Sequence, residues 1–539
     1  MFRKRYFPKR SFGLFLAAFV VLCLLYNYPY IYRYGPRGHH TWRQADCYSM
    51  ATNYYFGHRS FLDPQVHFCS PAGPQETVSE MPLLNYSVAQ LWRIFGYHPW
   101  VYRAVQNIIL FLGLLCLFRI FELSLRNTWW ALGLSLLFFT TPLLSTYGIS
   151  FIADASAMCI AICGGWFWFR YHRWNRWTDL VFAALLTTIA GWMKITSLYT
   201  LGIVCSLALA GLLPGKKRMA VFRRPAAVMI SAGVVLLLVA AWYVYADHYN
   251  KTHDEGVFLV GILPVWDMTW AEIVLTSRSL VNDLLPVYFN RPVLFFLSGV
   301  MLWMFLDWRR MGKVSVFILS VSALIVLLYL LLFFQVFTVH DYYLVNMLPF
   351  VAVLLLVAAR YVRKTAASLF HDRRVQVVSG VVLLFSAWNC AMITRIRYSS
   401  IDPFAETSVF ISQEEYSKWH NFDHTYEKDM INLQEARPVF DSLKITRDDI
   451  VISIPDPSPD YSLVMMDRKG YTDCSYSSLG NRGDRIHAFI SYGANYLVLN
   501  CEGMQYDPDI LPYTKFEMGR FRQARIYDLR PYADSIRAK

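Results

Sequence analysis

The stretch GHHTWRQADCYSM, residues 38–50, gathers His39, His40, Arg43, Gln44 and Asp46 within nine positions. Similar residues recur in short apolar surroundings further along: Glu80 in SEMPLLNY, Asp154 in GISFIADASAM, Lys194 in AGWMKITSLY, and His340, Asp341, Tyr342 and Tyr343 in TVHDYYLVNMLPF. Carboxylates of this kind can take a proton from a hydroxyl or an amine. Lys, Arg, His and Tyr donors can hold a phosphate and stabilise the charge that develops on it as a leaving group. The set suits group transfer from a phosphate-bearing donor to a nucleophile. Each residue also has a plain reading: a Lys at the end of a membrane span snorkels to water, and a loop Asp or His can be solvated or cap a helix.

These residues must be positioned by a membrane-embedded frame. Of 539 residues, 56% are hydrophobic and only 17% are charged, against roughly a quarter charged in soluble domains. The apolar residues come in blocks near 12–31, 100–122, 128–147, 150–169, 179–197, 198–213, 225–246, 292–308, 314–337, 342–360 and 376–394. Blocks of about 20 residues cross the hydrocarbon core as helices, and the alternation of an outer-membrane barrel is absent from them. The sequence predicts a polytopic α-helical membrane protein of about eleven spans. Its N-terminus, MFRKRYFPKR followed by an apolar run with no small-x-small cleavage site, reads as a retained signal anchor.

Charge sets the orientation. The net charge is +13, yet residues 395–539 hold 18 Lys and Arg against 22 Asp and Glu, which leaves +17 for the first 394 residues. The basic loops RYHRWNRW, GKKRMAVFRR, DWRRMGK and RYVRKTAASLFHDRR alternate with the remaining loops, as the positive-inside rule requires of cytoplasmic segments. This topology accounts for the basic balance without nucleic acid. It predicts a cytoplasmic N-terminus, a membrane domain over 1–394 with a first outer loop at 32–99, and an extracytoplasmic α/β domain over 395–539. In that tail DDIVISIP, YSLVMMDRKG, ANYLVLN and RQARIYDL read as strands and NRGDRIHAFISYG as a helix, with no phosphate-binding glycine fingerprint and no catalytic constellation. Cys47 with Cys69 and Cys474 with Cys501 are candidate disulfides in an oxidising compartment, free thiols being the alternative.

On this topology His39, His40, Arg43, Asp46, Glu80, Asp154, Lys194 and His340 all lie at the outer mouths of spans. Ionisable groups at membrane depth cost several kcal/mol and mark function by default. Their place at the lipid–water boundary suits a substrate with a lipid tail and a phosphate head, a sugar carried on a polyprenyl phosphate. A transporter or flippase of a lipid-linked saccharide is the alternative class. It would place its polar groups near the midplane on broken helices. A glycan polymerase or ligase is an enzymatic alternative.

The sequence resembles the GT-C superfamily of integral-membrane glycosyltransferases, in the family-39-like branch with the protein O-mannosyltransferases and the lipid A aminoarabinose transferase. The resemblance rests on H-x-W-R-Q-A-D at 40–46, E-x-P-L at 80–83, Asp154 opening the fourth span, Lys194 near the fifth, H-x-Y-Y-L at 340–344 with a following Pro, and a soluble C-terminal domain. It implies inverting transfer from a polyprenyl-phosphate sugar in a cell envelope, such as a bacterial inner membrane, to a lipid, glycan or protein. It further implies Asp46 as general base, Glu80 as the residue orienting acceptor or donor head, and Lys194, Arg43 and Tyr343 as phosphate contacts. Asp154 and His340 would line the pocket, and Gln44 and Tyr342 lie in the same motifs. The branch's usual Asp-Glu pair falls here on Arg43 and Gln44, and Met81 stands where the aminoarabinose transferase has Lys. So either Asp46, one helical turn on, or His39 or His40 is the base. No cofactor is required by these motifs. A divalent metal is an open alternative, with His39, Asp46, Glu80 and His340 as ligands, and THDEG at 252–256 is a further acidic group.

Overall fold

In the computed structural model the described residues are 9–71, 73–215, 219–253, 261–399, 416, 430–474 and 477–537. Among them six helices are long and apolar enough to cross a membrane: Pro99–Leu125, Ile195–Leu212, Pro225–Thr252, Lys313–Thr338, Asp341–Thr365 and Arg373–Tyr398. A seventh span forms if the pair Trp270–Tyr288 and Arg291–Leu306, bent by 101°, counts as one. The chain is an integral membrane protein. All eleven predicted segments carry helix, but several are shorter than a span. The 128–147 segment is divided because Thr128–Phe139 ends at Thr140 and Pro142 opens a separate six-residue helix, its ring pre-set for a first turn. The 179–197 segment stops at Lys194, which is extended (φ −162°, ψ 115°) between Trp177–Met193 and a 3₁₀ turn at Ile195–Leu198.

The bundle's centre is built by Pro99–Leu125 and Asp154–Trp174. They approach so closely that a Cβ on Gly113 would meet the Cβ of Cys159 at 2.6 Å, the small-residue contact that lets membrane helices pack without a hydrophobic driving force. The first loop is not loose. It folds into the helices Thr41–Phe56 and Leu83–Phe95, and the second buries Leu84, Val88 and Trp92 in one cluster with Ala45, Tyr48 and Ala51 of the first.

The C-terminal region is a five-stranded mixed sheet. Ile450–Ile454 is an inner strand, parallel to the edge strand Lys469–Thr472 on one side and to the central strand Tyr496–Leu499 on the other. Ala524–Asp528 joins antiparallel to Tyr496–Leu499, and Glu517–Phe521 closes the edge. The parallel order needs crossovers, and they are the short helix Tyr461–Met466 and the capped helix Arg482–Ser491. The sequence reading of YSLVMM as strand is thereby corrected. Six apolar or small residues in a row suit either state, and the helix is chosen because all six are buried between the sheet and the first loop. The sheet unit is consequently docked: Tyr461, Leu463, Val464 and Met466 share a core with Ala45 and Tyr48, and the Tyr461 hydroxyl donates to the Pro36 carbonyl at 3.3 Å.

Candidate active site

The segment 38–50 is fixed at its start by backbone geometry. Gly38 has φ +79°, and a Cβ there would stand 2.0 Å from the Arg397 carbonyl oxygen, so only glycine fits where the loop crosses the last membrane helix. Arg103, fully buried, donates to the carbonyls of Tyr34, Gly35 and Ile149 at 3.0, 2.8 and 2.8 Å. It ties the loop to the turn that leads into Asp154. Gln44 turns inward and donates to the carbonyls of Arg37 and His39 at 2.9 and 2.7 Å. Expected as a substrate contact, it instead closes the helix start, being fully buried.

From this anchor two ionic clusters diverge. In the first, Asp341 is the hub. Its Oδ2 accepts from Arg397 at 2.8 Å, its Oδ1 accepts from the Tyr147 hydroxyl, and the Nε2 atoms of His40 and His39 stand 3.2 and 3.6 Å from Oδ1. Burial, with His39 beside it, pushes His40 down to about 3 against the opposing pull of Asp341, so its imidazole is neutral. The rings of His340 and Tyr342 lie 5.4 and 5.0 Å from His40.

The second cluster is a chain of alternating charge. Arg43 reaches Asp46 at 3.5 Å and Glu80 at 2.5 Å, Lys194 reaches Glu80 at 2.8 Å and Asp154 at 3.4 Å, and the Lys194 ammonium sits 4.9 Å over the Tyr343 ring. The Glu80 loop is pinned from three sides: Asn250 exchanges hydrogen bonds with Val78, Trp242 donates to the Ser79 carbonyl, and the Met81 amide donates to the Trp192 carbonyl. Arg43, Glu80 and Lys194 keep 20%, 17% and 11% of their side-chain surface, whereas Asp154 keeps 3%. Burial raises Glu80, but Arg43 and Lys194 outweigh it and hold it below the usual carboxylate range. Burial also raises Asp46, and Arg43 does not cancel it, so Asp46 stands at about 6. Glu80 is thus a fixed anion and Asp46 a carboxylate that titrates close to neutrality, the property asked of a general base.

The structure therefore brings Arg43, Asp46, Glu80, Asp154, Lys194 and Tyr343 together, and His39, His40, His340 and Tyr342 with Asp341. It does not gather the expected metal set. The Asp46 and Glu80 carboxylates are engaged by Arg43 and Lys194. Among the described residues the group with metal-like spacing is instead His39, His40 and Asp341, and there Arg397 already neutralises Asp341. In THDEG, Asp254 to Gly256 lie outside the described residues, and His253 pairs with Glu76 at 2.9 Å. Neither expected cysteine pair is joined: Cys47 packs in the first-loop cluster, Cys69 in the sheet's core, and Cys474 is an exposed thiol. Two partners were not foreseen, Arg397 at Asp341 and Asp460, whose carboxyl lies beside Asp46. Asp460 carried no signal beyond an acid just before an apolar run; its contact depends on docking of a domain more than 400 residues away.

No family model and no curated protein matches the sequence. The fold has solved counterparts. ArnT from Cupriavidus metallidurans in the apo state superposes over 97% of this chain and 99% of its own, with a TM-score of 0.57 at 10% identity. The same protein bound to undecaprenyl phosphate covers 96% and 97%, with a TM-score of 0.55 at 9% identity. The mycobacterial arabinofuranosyltransferase AftD matches 92% of this chain over 37% of its own length, with a TM-score of 0.50 at 13% identity. At such identities it is the architecture that is shared, over nearly the whole length of the chain: the protein has the fold of the GT-C integral-membrane glycosyltransferases.

Proposed function

We propose that the protein is a membrane glycosyltransferase that moves a sugar, with inversion, from a polyprenyl-phosphate donor to an acceptor on the extracytoplasmic face. The observation that carries this reading is the Asp46–Arg43–Glu80–Lys194–Asp154 chain at one end of the bundle. It sets a carboxylate at about 6 beside Arg43, with Lys194 joined to Arg43 through Glu80. In the reaction the acceptor hydroxyl or amine gives its proton to Asp46 and its oxygen or nitrogen bonds to the anomeric carbon. The bond from that carbon to the phosphate oxygen breaks, and polyprenyl phosphate leaves as an anion. Arg43 and Lys194 hold the leaving phosphate, while Glu80 keeps both cations oriented before the donor arrives. His340, Tyr342 and Tyr343 border the donor head, and the acceptor is a lipid, glycan or protein. The shared fold with ArnT, solved with undecaprenyl phosphate, supports the donor class. The basic loops support a cell membrane such as the bacterial inner membrane, with the C-terminal domain outside.

The test is incubation of the purified protein with a panel of polyprenyl-phosphate sugars and candidate acceptors, reading release of polyprenyl phosphate. Wild type is expected to release it and Asp46→Asn and Lys194→Ala to lose most of that release. Movement of an intact lipid-linked sugar across vesicles with no bond broken would replace the enzyme by a flippase.

A further inference from the structure

The C-terminal sheet holds a carboxylate whose surroundings fit no structural task. Asp460 occupies the N-cap position of Tyr461–Met466, where an Asp side chain normally accepts from the first amides, yet it makes no such bond. That duty is taken by its neighbours. Asp456 accepts from the amides of Ser458 and Ser462 at 2.8 and 2.7 Å, and the Ser458 hydroxyl accepts from the Tyr461 amide at 2.9 Å. Asp460 is fully buried, and neither of its oxygens has a hydrogen-bond donor. The groups within reach are the Asp46 carboxyl and the Ser49 hydroxyl.

Ser49 cannot supply the missing proton. Its hydroxyl lies 2.7 Å from His67 Nδ1 and also accepts from the His67 amide at 2.7 Å. His67 Nε2 faces Asp467 at 3.5 Å, so the ring proton sits on Nε2 and Nδ1 takes the Ser49 proton. Two carboxyl groups in contact, with no cation or donor between them, cannot both stay ionised. The charges that face this pair are Arg43 and Glu80 on the side of Asp46 and Asp456 on the side of Asp460, with the Cys474 thiol further off. Arg43 contacts Asp46, which settles which partner is the anion.

We propose that Asp460 is a positioning residue of the glycosyltransferase site: protonated, it donates a hydrogen bond to Asp46, so that docking of the C-terminal domain orients the carboxylate that receives the acceptor's proton. The inference rests on the role of Asp46 as base. The position of Asp460 explains why a domain with no catalytic motif of its own packs its helix against the first loop. Burial and the Asp46 charge both raise Asp460, while the bond it gives lowers Asp46.

Infrared difference spectra of the full-length protein test the proton directly, and the transfer assay tests its use. At neutral pH, wild type minus Asp460→Asn should show the C=O stretch of a protonated carboxylic acid, and that band should shift in the Asp46→Asn background. Asp460→Asn, which still offers an N–H, should keep turnover within about threefold and leave the acidic limb of the pH profile in place. Asp460→Ala should lower kcat at least tenfold, leave KM for the donor unchanged, and move the limb to higher pH. Absence of the band, or a band lost on adding Mn2+ with activity that needs the metal, overturns the proposal. So do equal effects of the Asn and Ala variants with an unmoved pH profile. If the band behaves as stated while wild type transfers nothing, the shared proton stands and the glycosyltransferase reading falls.

Discussion

The stretch 38–50 feeds two clusters built from the same residue types, and they differ in what closes them. Around Asp341 every direction is filled: Arg397 on one oxygen, Tyr147 and two imidazoles on the other, with Asp341 and Arg397 at 1% and 0% exposure. Around Glu80 the cations keep some exposure and the chain of charges ends on a carboxylate at about 6. The first cluster behaves as a pin that holds the loop to the last membrane helix, the second as a site whose charged groups still reach solvent. A buried ion pair is weak evidence for stability but costly to break from one side. The two clusters should therefore fail in different ways.

The largest effect is expected at the pin. Asp341→Asn leaves the Arg397 guanidinium buried without its carboxylate, a loss of about 3–5 kcal/mol, read as a lowered melting temperature in detergent. A protein that melts as wild type would show that Asp341 belongs to the reacting site instead. Next comes the base. Asp46→Asn should lower kcat by roughly 100- to 10,000-fold without lowering the melting temperature, since the neutral amide removes a buried charge that burial disfavours. Smaller again is Glu80→Gln, which unties Arg43 and Lys194 at once. With one negative charge removed, the donor phosphate should bind more tightly, while kcat falls about tenfold because the two cations are no longer held in place. A change in KM alone would make Glu80 an acceptor contact.

Part of this contrast was legible in the residues. Apolar blocks with basic loops gave the membrane bundle, and the shared mouth position of Glu80, Asp154 and Lys194 anticipated their contacts. What could not be read is which charge pairs with which. His39 lies just before the helix Thr41–Phe56 and Asp46 within its first two turns, yet one faces Asp341 and the other Arg43, because Gly38 and Gln44 set the angle at which the loop leaves Arg397. Asp460 was illegible for a further reason: an N-cap Asp looks ordinary until Asp456 and Ser458 are seen doing its capping.

The smallest effect separates the clusters most cleanly, since it needs no loss of fold. Asp46 must be ionised to accept a proton, so the transfer rate should rise with pH up to about 6 and level off above it. Its folded-state value lies above that of an unfolded Asp, so its contribution to stability has the opposite sign: present at low pH and lost as pH rises through about 6. Activity and this part of the stability should cross in opposite directions over one pH interval, a signature of a single buried carboxylate. His40 titrates only near 3, so it adds no limb in that interval. His40→Gln should keep the midpoint of the rate profile unchanged even where the rate itself drops two- or threefold from a disturbed pin. A midpoint displaced in His40→Gln, or a limb that vanishes there, would transfer the base from Asp46 to the histidines and make the pin the reacting centre.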